Sequence, residues 1–106
     1  MKAILIDSKQ KSVSLVTVGD FRDMQAKIGC DMFTTAGCLL EDTLYVDDEG
    51  LINGTEEFFF NPDFYPRPLA GNGLIVGTDN TGESVDVKAE VSQVAKNTDF
   101  LIKKEL

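Results

Sequence analysis

Short runs of alternating apolar and polar residues, separated by clusters of acids and glycines, fill most of this chain and predict strands joined by tight turns. Lys2 to Asp7 is one such run. Ser12 to Val18 is another, rich in β-branched residues, and the polar Ser8-Lys9-Gln10-Lys11 between them predicts a β-hairpin. The period then changes. Asp20 is placed to N-cap a helix by accepting the Asp23 amide, and Phe21, Met24 and Ile28 fall on one apolar stripe over a helix of about Phe21 to Ile28. Gly29 supplies the left-handed residue that closes it.

Strand patterning returns around Gly37, in Met32 to Thr35 and Cys38 to Leu40, and again in Thr43 to Val46. Asp47-Asp48-Glu49-Gly50 reads as an acidic turn and Asn53-Gly54 as a second turn. Thr55 to Pro68 is the least regular stretch, because Asn61-Pro62, Tyr65-Pro66 and Arg67-Pro68 stop a helix and predict a loop. That loop carries Phe58, Phe59, Phe60, Phe64 and Tyr65, too apolar to lie wholly in water, so it either tucks onto the core or is an interaction loop for a partner. Beyond it, Gly73 to Asp79 reads as a buried strand that turns at Asp79 to Gly82 and returns through Glu83 to Val87. Asp86 is expected to N-cap a last helix bearing Val87, Val91, Val94 and Ala95 and ending near Asn97, and Phe100-Leu101-Ile102 to pack back as an apolar tail. The sum is a single α+β domain over residues 1–106, a mostly antiparallel sheet with two short helices packed on one side.

Composition narrows the function. The longest apolar runs are about five residues, far short of the ~20 that a membrane-spanning helix needs. The N-terminal segment has no long apolar region with a cleavage site, so it reads as an intracellular first strand, without membrane association. Eighteen acids against ten bases leave a net charge of -8, which repels nucleic acid and makes direct DNA or RNA binding an unsuitable role. The same charge serves solubility, or lets an acidic face mimic a nucleic-acid backbone.

Chemistry is short of parts. Histidine is absent, which removes the commonest general base, and no G-x-S-x-G elbow replaces it. Asp47, Asp48, Glu49, Glu56 and Glu57 could supply paired carboxylates, but adjacent acids on turns are nearly always solvated, so no enzyme is expected and no catalytic residue is assigned. Counted as a calcium loop from Asp47, the chain places Leu51 fifth and Phe58 twelfth, where oxygen ligands are required. Gly71, Gly73 and Gly77 match neither phosphate-binding glycine pattern; Gly71 to Gly73 reads as a turn and Gly77 as a bulge or a close backbone approach. No metal or cofactor is therefore expected. Cys30 and Cys38 fit no zinc or redox spacing and are expected as buried free thiols.

The order of these elements resembles a small domain family of unknown function found in bacteriophages and bacterial mobile elements. A first strand, a helix ending in Ile28-Gly29, Tyr45-Val46-Asp47-Asp48-Glu49-Gly50 followed by Gly54, and Leu74-Ile75-Val76-Gly77-Thr78-Asp79 with Gly82-Glu83 carry the resemblance, over roughly residues 1 to 103. The chain departs from that pattern in Glu56 to Pro68. The resemblance implies a phage or prophage accessory protein made in the bacterial cytoplasm, and no activity. The expected function is non-enzymatic binding of a host protein, using the aromatic segment and the acidic turn Asp47, Asp48 and Glu49. The alternatives are a small-ligand, nucleotide-type binder with the glycines and the rings of 58 to 65 as its pocket, and an acidic nucleic-acid mimic. An exposed strand edge could also support a homodimer.

Overall fold

In the computed structural model the described residues are 1–39, 41–48 and 57–105, and the side chain of Leu39 is outside the description. The expected hairpin is present: β1 (Lys2–Asp7) pairs antiparallel with β2 (Ser12–Thr17) in a register that sets Ile4 opposite Leu15. Helix α1 (Phe21–Ile28) has the expected bounds and caps. The Asp20 carboxylate accepts the Asp23 amide at 3.0 Å, and Gly29 sits at φ 81°, where a side chain would be strained. Met24 and Ile28 are buried as the stripe predicts. Phe21, the third member, is 55% exposed and lies on the Phe33 ring instead, with centroids 4.7 Å apart.

Strands β3 (Phe33–Leu39) and β4 (Asp42–Asp47) form a second hairpin with an irregularity between Thr35 and Gly37. The segment expected to be an aromatic loop begins as a strand, β5 (Phe58–Pro62), which pairs antiparallel with β6 (Leu69–Ala70) on one side and with β9 (Thr98–Ile102) on the other. The turn signals of Asn61-Pro62 mark the end of that strand rather than excluding it, since proline is tolerated at a strand's last pairing. Between β6 and β9 come β7 (Gly73–Thr78), β8 (Ser84–Val85) and α2 (Val91–Lys96). A 3₁₀ turn at Lys103–Glu105 follows β9.

Among the described residues all pairings are antiparallel, and the strands form two sheets. The larger runs β2-β1-β7-β4-β3 with β8 paired to β7, and the smaller runs β6-β5-β9. Side chains alternate across β1 and β7 and so build two separate cores. Ala3, Leu74 and Val76 join Met24 and Ile28 of α1; Ile4, Ile6 and Ile75 join Leu44, Val46, Phe60, Leu69 and Val94 of α2. The fold class is the expected α+β domain, but its helices cover opposite faces of the larger sheet rather than one side. The reason lies in β5: pairing into the small sheet brings Phe60 and Leu69 onto the face of Ile4, Ile6 and Ile75, where Val94 of α2 packs with them, and leaves the opposite face to α1.

Two glycines in β7 set how closely its neighbours approach. A Cβ on Gly73 would stand 2.5 Å from Cζ of Phe60 and 3.0 Å from Cδ1 of Leu44, so the bare backbone is the seat for the Phe60 ring. A Cβ on Gly77 would collide with the Asp86 carbonyl, which makes it the close backbone approach that the sequence suggested. The second helix starts later than expected. Its N-cap is Glu90, with no side-chain cap, while the Asp86 carboxylate accepts the Lys2 amide at 2.7 Å and so ties the start of β1 to the segment after β8. The apolar tail at Phe100 to Ile102 is β9 itself, not a loose return.

Candidate functional site

Strand β5 ends at Pro62, and the chain turns with the Tyr65 amide donating to the Pro62 carbonyl at 3.1 Å and the Asp63 amide to the Asn97 carbonyl at 2.9 Å. This turn lies over Gly37 of β3. A Cβ there would stand 3.7 Å from the Tyr65 ring and 4.0 Å from that of Phe64, so the smallest residue of β3 meets two half-buried rings. The two rings diverge from this point. Phe64 lines a hollow of about 340 Å³ between the starts of β4 and β9, the turn and α2, together with Glu41, Asp42, Pro62, Asp63, Lys88, Ala89, Gln93, Val94, Asn97 and Thr98. Tyr65 lines a smaller one of about 150 Å³ with Asp47, Asp48 and β3 residues Thr34 to Ala36.

Asp42 anchors the larger hollow. It is 3% exposed, and its two carboxylate oxygens each accept a backbone amide at 2.8 Å, from Lys88 and from Ala89. A buried carboxylate is tolerated only with such partners, and here the bonds fix the segment that leads into α2 onto the edge of β4. The neighbouring Thr43 and Thr78 hydroxyls share a hydrogen bond of 2.7 Å, and the Thr98 hydroxyl donates to the Val94 carbonyl at 2.7 Å, closing α2 against β9. Lys88, the one cation on this lining, donates from Nζ to the Asp86 carbonyl at 3.2 Å.

The expected site residues are thus divided. Phe59 and Phe60 are buried at 5% and 0% exposure and Phe58 is half-buried in β5, so these three rings belong to a core strand and not to an interaction loop. Phe64 and Tyr65 remain partly open. Asp47 and Asp48 share the small hollow with Tyr65, while Glu49, Gly50 and Asn53-Gly54 lie outside the described residues. A third hollow, of about 260 Å³, brings Phe58 and Gly71 together with Asp7, Ser8, Lys9, Gln10, Ile28 and Asn72; the Ser8 hydroxyl donates to the Gly71 carbonyl, and the Asn72 side chain receives the Ser8 amide at 3.2 Å. Sequence reasoning missed Asp42, Gln93 and Asn97. Gln93 and Asn97, on either side of Val94 at the end of a short helix, carried a weak signal, and Asp42 carried none.

Asp79 is a turn residue rather than a ligand. Its carboxylate accepts the Thr81 hydroxyl and the Thr81 and Glu83 amides at 2.7 to 2.9 Å, and the Thr81 hydroxyl bond followed by the Glu83 amide hold its pKa below the usual value. Stability from this turn is therefore complete above the ordinary carboxylate range and lost as pH falls through the lowered value. Among the described residues no group of three or more metal-ligating side chains gathers. The cysteines are free but not both buried: Cys38 is exposed and Cys30 half-buried, because β3 is an edge strand that shows Cys38 to solvent. Burial, with the charges of Asp47 and Asp31, pushes the Cys30 thiol up to about 11. No helix among the described residues is long and apolar enough to cross a membrane.

The fold is a small acidic α+β domain with hollows of about 340, 260 and 150 Å³ on its surface. The chain belongs to the DUF3846 family, described as a domain of unknown function, whose model matches residues 1–99. This agrees with the unknown-function family suggested by the order of strands and turns. No curated protein and no solved structure matches the chain.

Two measurements probe this site's construction. Asp42→Ala orphans the Lys88 and Ala89 amides and should lower unfolding free energy in urea by about 1 to 3 kcal/mol; a change within about 0.5 kcal/mol, the range of an ordinary surface substitution, would contradict the anchoring role. Alkylation followed by mass spectrometry at pH 8 should modify Cys38 well before Cys30, since the thiolate is the reactive form and Cys30 resists ionisation. Equal rates would contradict the burial of Cys30.

Proposed function

We propose that this protein is a non-enzymatic binding module, an acidic accessory protein of a phage or mobile element that acts in the bacterial cytoplasm by contacting a host protein. The observation that carries this reading is the 340 Å³ hollow, where Phe64 and three carboxylates, Glu41, Asp42 and Asp63, converge on an apolar floor against a single lysine. A few polar groups around an apolar surface are the usual make-up of a recognition site. The net charge of -8 adds a field that steers basic surfaces toward it and keeps nucleic acid away. The absence of histidine from the whole sequence supports binding over catalysis.

The aromatic contribution in this reading comes from Phe64 and Tyr65, since Phe59 and Phe60 are committed to the core. A second reading, a small-ligand site of nucleotide type, is favoured by the 260 Å³ hollow that joins Phe58 to Gly71 and Asn72. The third, mimicry of nucleic acid, draws on net charge alone. Nucleotides that bind the folded state would raise its melting temperature, which separates the second reading from the first.

The test of the first reading is a pull-down from bacterial host lysate comparing the wild type with a Phe64→Ala, Tyr65→Ala variant shown by circular dichroism to be folded. A host protein retained by the wild type and lost by the variant is the expected result. Equal retention by both would move the interface elsewhere, and no specific retention would overturn the host-protein reading.

A further inference from the structure

We propose that the hollow between α2 and the Asp63 turn is a guanidinium pocket that takes an arginine side chain of the partner protein. The proposal rests on the protein-binding reading above and names the group that this reading leaves unspecified. Size is the first argument. About 340 Å³ is at the small end of ligand sites, with room for one long side chain.

The lining supplies the second. Pro62, Ala89 and Val94 supply apolar lining for a methylene stem, and the half-buried Phe64 lines the same hollow, an aromatic group of the kind that attracts a planar cation. Charge supplies the third. Three carboxylates against one ammonium leave a local excess of two negative charges, so an anionic occupant is repelled and a cationic one attracted.

These carboxylates differ in availability. Asp42 already accepts the Lys88 and Ala89 amides and acts as a fixed charge at the base. Among the described residues none donates a hydrogen bond to the side chain of Glu41 or Asp63. The Lys88 ammonium donates to the Asp86 carbonyl. Gln93 of α2 and Asn97, its C-cap, add two amide oxygens. Acceptors thus stand on several sides of the cavity. A guanidinium, with five donors in one plane, can meet several of them while stacking on Phe64; an ammonium is a compact point charge that cannot do both.

The experiment is a titration of the ¹⁵N-labelled full chain, followed by amide chemical shifts, with four probes: Nα-acetyl-arginine methylamide and its lysine, citrulline and glutamate counterparts. Arginine should give saturable shifts confined to residues 41–42, 62–64 and 88–98, weaker at high salt. Lysine should bind several-fold less well, and citrulline and glutamate not measurably. The Glu41→Gln, Asp63→Asn variant, changed only at exposed positions, should lose about fivefold or more of the arginine affinity. Citrulline binding as well as arginine, arginine shifts elsewhere, or no saturable shift would each overturn the pocket. If a host protein is captured equally by the wild type and by this double variant, the guanidinium pocket falls while host-protein binding stands. Saturable arginine shifts with no protein retained from lysate leave the pocket standing and remove the host-protein reading.

Discussion

The structure depends on one contact, the ring of Phe60 lying on the bare backbone of Gly73. Phe60 is fully buried, and with Leu69 it carries the small sheet into the core on that face of the large one. Any side chain at Gly73 would occupy the space of that ring. Because protein interiors are packed to the density of organic crystals, such a seat has no slack to absorb an added methyl group. The distance between the two sheets follows from it, and so does the position of each element that the small sheet carries.

The groove is a consequence of that seating. Strand β5 passes from Phe60 to Pro62 and immediately into the turn that holds Asp63 and Phe64, so the turn's height above β3 is set two residues earlier. On the opposite wall, α2 is fixed at both ends by side chains of other elements. Asp42 holds the amides of Lys88 and Ala89 before the helix begins, and Thr98 bonds the Val94 carbonyl after it ends. A helix of six residues has little stability of its own. These tertiary anchors, with Val94 in the core, give it a defined position, and they make its polar residues Gln93 and Asn97 a rigid wall rather than a fraying one.

Legibility in the sequence followed the range of the interactions involved. The first hairpin, α1 with both caps, the Asp79 turn and the close approach at Gly77 were readable because each rests on residues near one another in sequence or on a glycine with no other good reason to be there. Phe58 to Pro62 was misread as a loop because its partner β9 lies about forty residues away, and the proline signals around it outweighed three consecutive aromatics. Asp86 looked like a helix cap because its bond to the Lys2 amide spans 84 positions. The same limit hid Asp42, a strand acid whose meaning appears only when residues 88 and 89 come to it. The placement of the helices on opposite faces was likewise a matter of which sheet covers which surface, which periodicity does not carry.

The dependence on the Phe60 seat is tested most directly by a double-mutant cycle in urea unfolding with Gly73→Ala and Phe60→Leu. If the ring occupies the space above Gly73, the alanine should destabilise the wild type by roughly 2 kcal/mol or more through overpacking, and measurably less once the ring is replaced by the smaller leucine. Strictly additive effects of the two substitutions would contradict the account.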